Sequence, residues 1–264
     1  MTLPRIVSQF SCGAASAVST KLAILEYGLS HDVVVLNSYL AAEHPDNRRF
    51  LADCEAWFGQ PIIVVQDTKF NADPMMVFRK RRFIKNKNGA PCSKALKRDV
   101  LDAWCMPSDV RVLGFTYEEC DRLDLWIDAN NDKKVIAPLI DHKLSKPDVL
   151  AMVERAGIQI PLMYRMGYHN ANCIGCPKGG AGYWNKIRRD FPIAFEAMCQ
   201  TEESLGLGAR LLRHRSGPLK NQRFWLRDLD PTTGRYEDEP SIECGSACEL
   251  VEATNGWNEL DDLS

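Results

Sequence analysis

Short apolar runs alternate with amphipathic stretches over the first 140 residues. Pro4 to Phe10 carries Ile6, Val7 and Phe10 and predicts a buried strand. Ser16 to Tyr27 spaces Val18, Leu22, Ala23 and Leu25 as one face of a helix. His31 to Asn37 contains Val-Val-Val-Leu, a second strand, and Asp46 to Phe58 sets Phe50, Leu51, Cys54 and Trp57 on one helical face. Pro61 to Gln66 is a third strand, Val110 to Phe115 a fourth and Lys134 to Leu139 a weaker fifth. Continuous apolar strands separated by helices predict an α/β fold. The expected form is an open five-stranded, mostly parallel sheet with helices on both faces, plus a Cys-rich C-terminal extension.

Residues 67–92 are polar and basic and read as a long excursion. Ser93 to Trp104 predicts a helix through Leu96, Val100 and Leu101. Ser145-Lys-Pro-Asp148 is a helix start, with a capping Ser, Pro in the first turn and an acid three residues on; Gly157 is its stop. Residues 161–183 form a loop rich in Pro, Gly, His, Asn and Cys. Helices follow around Tyr183 to Arg189 and from Pro192 to about Leu205, and beyond 208 the regular pattern fades. The expected organisation is an α/β domain over 1–160 with a Cys-containing lobe over 161–264 packed on it.

At 264 residues, 45% hydrophobic and 26% charged, the composition excludes a disordered or low-complexity chain. No apolar run approaches the roughly 20 residues of a membrane span. The N-terminus lacks a secretory apolar stretch, so the expectation is an intracellular, cytoplasmic protein with no membrane partner. Residues 236–264 hold nine Asp/Glu and no Lys/Arg, which leaves the rest with seven more cations than anions. A basic body leaves room for anionic ligands.

Ten cysteines stand at 12, 54, 92, 105, 120, 173, 176, 199, 244 and 248. Without a secretory signal a disulfide framework is not expected. Cys54, Cys105, Cys120 and Cys199 sit in helix-like surroundings and read as packing. Cys173-x-x-Cys176 is a two-thiolate grip, with Cys92 upstream and Cys244 and Cys248 downstream as further donors. Spacing alone admits structural zinc, an iron–sulfur cluster or a redox dithiol, and puts zinc first. His169 nearby reads as a hydrogen-bonded loop histidine rather than a ligand.

The first strand ends in Ser11-Cys12-Gly13-Ala14-Ala15-Ser16 and runs directly into a helix. Small residues between a strand and a helix N-terminus make an anion cradle of backbone N–H groups. No Gly-Lys-Ser/Thr follows and the three spaced glycines of a dinucleotide fingerprint are missing. An ordinary tight turn remains the other reading.

Ser11-x-Gly13-x-x-Ser16 resembles the PP-loop of adenine-nucleotide alpha hydrolases, and within them the phosphoadenosine phosphosulfate (PAPS) reductase family. The stretch from Asn37 to Asp46 with Glu43-His44-Pro45, Pro91-Cys92-Ser93-Lys94-x-Leu96-Lys97, Gly114-Phe-Thr-Tyr-Glu118 with Arg122, Pro138-Leu139-Ile140 and Cys173-Ile-Gly-Cys176-Pro177 are similar in order, over roughly 4–200. The resemblance implies ATP, with or without Mg, or a sulfated adenine nucleotide, held by Ser11, Cys12, Gly13, Ala14, Ser16, Asn37, Glu43, Gly114 and Glu118. It gives Arg122 and Cys244 as catalytic candidates. It also implies a [4Fe–4S] cluster, with zinc the alternative, on Cys92, Cys173 and Cys176 and on Cys244 or Cys248 as the fourth ligand. Relatives with a cluster carry a Cys pair where this chain has Cys92 alone, so three thiolates and an open iron are one arrangement. Glu243-Cys244-Gly245 resembles the start of the reductases' terminal motif, without its closing His.

Two reactions follow: ATP-dependent adenylation with sulfur transfer, which is favoured, and thiol-dependent reduction of PAPS or its unphosphorylated form to sulfite. A non-catalytic, zinc-stabilised nucleotide- or nucleic-acid-binding module is the alternative class. A sulfur or thiol donor protein, a nucleic-acid substrate and a second copy in a homodimer are the partners allowed. Nine cations between Arg79 and Arg98, and Arg210, Arg213, Arg215, Lys220, Arg223 and Arg227 with Phe224 and Trp225 interleaved, would suit nucleic acid. The competing reading, favoured here, has them neutralise phosphates and thiolates or stand solvated.

Overall fold

The computed structural model describes residues 3–86, 89–242 and 244. Its centre is a five-stranded, wholly parallel sheet in the order β3-β2-β1-β4-β5. The strands are β1 (Arg5–Gln9), β2 (Asp32–Ser38), β3 (Ile62–Val65), β4 (Val110–Val112) and β5 (Lys134–Ile136). Between them run α1 (Ala14–Tyr27), α2 (Asp46–Phe58), α3 (Pro74–Arg81), α4 (Pro91–Ser93), α5 (Asp99–Trp104) and α6 (Cys120–Ala129). After β5 come α7 (Pro138–Asp141), α8 (Lys146–Arg155), α9 (Leu162–Arg165), α10 (Ala181–Asp190), α11 (Pro192–Leu205) and a small antiparallel pair, β6 (Leu212–Arg213) and β7 (Arg223–Phe224).

The chain leaves β1 toward β2 and β3, then returns past β1 to β4. Strand order therefore reverses between β1 and β4, and the carboxyl ends of these two strands flank a crevice of the kind in which open α/β sheets bind ligands. Arg5 grips Asp109 at 2.6 and 2.8 Å, tying the entry of β1 to that of β4.

The polar excursion contains a helix that periodicity did not show. Asp73 accepts a hydrogen bond from the Met75 N–H (2.9 Å) with Pro74 in the first turn, so α3 starts on good capping chemistry. The stretch 93–104 is not one helix: a π turn over Lys94–Arg98, closed by the Asp99 N–H on the Lys94 carbonyl, interrupts it. Thr116 and Glu119 cap the start of the turn that leads into α6, another helix not among those expected.

There are two main cores. Phe10, Val18, Val35, Phe50, Phe58 and Val149 bury the ground between the sheet, α1, α2 and α8. Trp184, Ile187, Phe195 and Met198 of α10 and α11 form the other, and it draws Phe78 of α3 and Ile84 from before residue 160. The buried Glu202 carboxylate accepts from the Leu211 N–H (2.5 Å) and the Leu226 N–H (2.6 Å), fastening the irregular stretch after 208 to α11. Among the described residues no helix is long and apolar enough to cross a membrane.

Candidate functional site

The loop from Ser11 to Gly13 joins β1 to α1. Cys12 takes the left-handed conformation (φ +58°), and extended Gly13 precedes the first helical turn without a side-chain cap. The first N–H groups of α1 therefore have no carbonyl partner within the helix. Ser16 Oγ accepts from the Ser11 N–H and hydroxyl, both at 3.1 Å, and donates to the Gly13 carbonyl at 3.0 Å. This hydroxyl braces the loop, and its hydrogen is already used.

Gly114, just past β4, lies against that helix start. A Cβ there would come within 3.0 Å of the Ser16 backbone N and Cα and 3.2 Å of the Ala15 carbonyl carbon. Only a glycine allows the fourth strand so close to the loop.

A second set of residues adjoins the loop. Asn37 donates to the Phe10 carbonyl (2.8 Å) and accepts from Arg48 (3.2 Å); Arg48 also reaches Cys12 Sγ at 3.5 Å. Burial pushes the Cys12 thiol up to about 12. Glu43, buried, takes hydrogen bonds from Asn47 (3.2 Å) and Lys97 (3.3 Å). Asn37, Cys12 and Glu43 are joined through Arg48 and stand outside the cavity lining.

The cavity in front of the loop is about 530 Å³. Ser11, Gly13, Ala14, Ser16, Gly114, Glu118 and Arg122 line it, as does Cys244. Arg122 pairs with Glu119 and stacks over Phe115 at 5.0 Å. Residues that motif reading did not single out as site residues also reach it: Lys97 and Arg98 from the π turn, Arg111, Asp102, Lys133, Lys146, Tyr164 and Asn170 to Asn172. Arg111 had one legible signal, a cation in the middle of an apolar strand. Asp102 accepts from Arg111 (2.7 Å) and Lys133 (3.1 Å); burial opposes its charge, but these two cations hold its pKa below the ordinary value.

The thiols gather beside this cavity. Cys173 and Cys176 sit on one turn, with Gly175 left-handed (φ +76°) between them. The buried Tyr183 hydroxyl clamps it, accepting from the Cys176 N–H (2.7 Å) and donating to the Cys173 carbonyl (3.2 Å). Cys92 packs against both the cluster that takes Cys173 and the core that holds Cys176. Cys244 Sγ is 3.4 Å from Ser93 Oγ and close enough to Cys173 and Cys176 to raise their pKa values, though burial is the larger cause; Cys176 rises to about 11. Lys97 faces this group: burial would lower its pKa, yet Cys244, Glu43 and Cys173 together raise it. Four thiol side chains beside a cation suit a thiophilic metal or cluster in donor chemistry. Among the described residues, though, no three His, Cys, Asp or Glu side chains already stand in a metal-holding arrangement. Cys248 lies outside the described residues. His169 packs its ring on Tyr236 at 4.6 Å. No family model and no curated protein matches the chain.

Proposed function

We propose that this chain is a sulfur-transfer enzyme of the PP-loop type, with an adenine nucleotide on the Ser11–Ser16 loop and sulfur delivered from the side of Cys244. The observation that carries the reading is a single cavity lined both by an anion cradle and by a thiol. The N–H groups opening α1 suit phosphate oxygens, and Arg122 and Lys146 add positive charge along the wall.

In the favoured reaction a carbonyl oxygen of the acceptor attacks the α-phosphorus of ATP, and the bond to the departing pyrophosphate breaks. Hydrosulfide then adds to the activated carbon, AMP leaves with the former carbonyl oxygen, and the proton goes to solvent. Oxygen is exchanged for sulfur and no electrons change hands. The chain's own part is to bind the phosphates, to stabilise charge growing on the α-phosphoryl group and to exclude water from the activated carbon. Cys92, Cys173 and Cys176, with Cys244 beside them, would hold an iron–sulfur centre or zinc. When bound, a cluster with one iron free of protein thiolate supplies a place for the incoming sulfide.

One observation favours a second reaction, since Cys244 itself lines the cavity. Its thiolate would attack the sulfonyl sulfur of PAPS, breaking the S–O bond as the nucleotide leaves. A second thiolate then attacks the Cys244 sulfur, releasing sulfite and leaving a disulfide.

Calorimetry with ATP, AMP and PAPS, followed by assays for AMP with pyrophosphate and for sulfite, tests the reading. Heat with at least one nucleotide and turnover in one assay is the expected result. Absence of heat with all three overturns it. Colourless protein with stoichiometric zinc and no turnover would replace it with a binding module.

A further inference from the structure

A second cavity, of about 1480 Å³, opens on the C-terminal lobe away from the nucleotide loop. It exceeds the roughly 300–1,000 Å³ of small-molecule pockets. One wall is the β6–β7 hairpin with Arg213, Arg215 and Arg223, and Lys85, Lys178 and Arg235 complete a ring of cations. Arg213 and Arg210 add to burial in lowering the pKa of Arg223, whose guanidinium also donates to the Gly208 and Arg210 carbonyls at 3.0 and 3.1 Å. Six cations against four carboxylates in one lining favour an anionic ligand.

The lining also holds four carboxylates, Asp228, Asp230, Asp238 and Glu239, and the last three have partners of their own. Glu239 accepts from the Gly180 and Gly182 N–H groups at 3.0 and 2.6 Å, and Asp230 from the Thr232 N–H and hydroxyl at 2.7 Å. Asp238 pairs with Arg235 at 3.6 Å.

The wall is aromatic as well as basic. The His214 ring lies on Phe224 at 4.5 Å, and both half-buried rings line the groove. Cations for phosphates beside ring faces for bases are the two elements of single-strand recognition. One end of the groove reaches Ser241, which also lines the nucleotide cavity. Asn170 and Asn172 pin that crossing point, donating to the Ser241 hydroxyl (2.7 Å) and the Ile242 carbonyl (3.0 and 2.5 Å). Cys244 follows two residues later.

We propose that this groove binds a single-stranded polynucleotide and leads one of its nucleotides past Ser241 toward Cys244. As to what the strand is for, this deepens the sulfur-transfer reading by naming the class of acceptor; as to binding, it stands on the groove alone.

Fluorescence anisotropy of labelled single-stranded RNA, single-stranded DNA, an abasic strand of equal length and a duplex, on the full chain, tests it. Micromolar binding of a single strand is expected, weaker for the abasic strand and the duplex, and the RNA and DNA arms name the sugar. Binding should weaken as salt rises from about 50 to 200 mM, with a log–log slope of about −0.7 per phosphate contact. The double variant Arg213→Ala/Arg215→Ala should bind at least tenfold more weakly and lose about 1.4 from that slope. Its calorimetric heat with ATP should be unchanged, since neither arginine lines the nucleotide cavity. Phe224→Leu, which keeps the apolar bulk of the hairpin, should narrow the gap between normal and abasic strands. No binding by any strand, equal binding of abasic, duplex and normal strands, or an unaffected double variant overturns the proposal. Strand binding that persists while no nucleotide gives heat instead removes the adenylation reading and leaves the groove.

Discussion

Gly114→Ala is the sharpest probe of the nucleotide loop. The added methyl would meet three backbone atoms at 3.0–3.2 Å, against an optimum of about 3.5–4.0 Å for carbon contacts. Nothing flexible can swing aside, because the atoms met belong to the first turn of α1, and Ser16 is itself braced by Ser11 and Gly13. The strand end and helix start must separate by about 0.5 Å, at about 1–3 kcal/mol for overpacking. At about 2–4 °C per kcal/mol for a chain of this size, melting should fall by about 2–12 °C. The N–H groups proposed to hold a phosphate move with the helix. Losing one good hydrogen bond to a charged group weakens binding by about 1.5 kcal/mol, or roughly tenfold. Gly208→Ala is the control, since a Cβ there meets nothing within 4 Å and the backbone is not left-handed. Calorimetry with ATP and differential scanning of both variants read the outcome. Affinity within twofold of the parent and an unchanged melting temperature for Gly114→Ala would refute the close-approach reasoning.

Other expectations follow from single contacts. Glu202→Ala leaves two buried N–H donors without an acceptor and should cost about 2–4 kcal/mol by urea denaturation, with Glu202→Gln recovering part of it. Hydrogen bonds from Arg49 hold the Asp46 carboxyl down to about 2, against burial and with help from the Leu162 N–H. Its folded value lies below the unfolded one of about 3.9, so its stabilisation is complete above roughly pH 5 and lost as pH falls toward 2. Asp46→Asn should flatten that acid limb in a denaturation-against-pH series. Arg82 ends α3 in the left-handed conformation (φ +59°) on an exposed site, so Arg82→Gly should raise stability by about 0.5–1 kcal/mol, read as a higher melting temperature. If Cys173 is a ligand, Cys173→Ser should lower bound iron or zinc per chain by elemental analysis, while Cys54→Ala, on the buried face of α2, should leave it unchanged.

The sheet was legible because its strands are short, continuously apolar and separated by amphipathic helices; α2 begins and ends where the periodicity places it. Of the helices that escaped, α3 is one in which polar chemistry outweighs periodicity. Its start rests on Asp73 and Pro74 inside a cationic run, whereas α6 escaped although Leu123, Trp126 and Ile127 repeat at helical spacing. The loop itself could be read from six small residues, but which of its neighbours line the cavity could not. Asn37 and Glu43 carry the same chemistry whether they line a cavity or stand outside it, and only the fold puts them outside. Tyr183 holds the Cys173–Cys176 turn through a hydroxyl no spacing rule identifies, and Arg111 and Lys133 meet Asp102 only once β4 and β5 are paired.

The placement of Phe78 and Ile84 in the core built by α10 and α11 bears on how the molecule comes apart. Cutting the chain near residue 160 would strand two large side chains in water on one fragment and open a hole in the other. Neither half keeps a finished interior alone, so the two lobes should unfold in one transition, and a shortened version made for crystallisation should retain both.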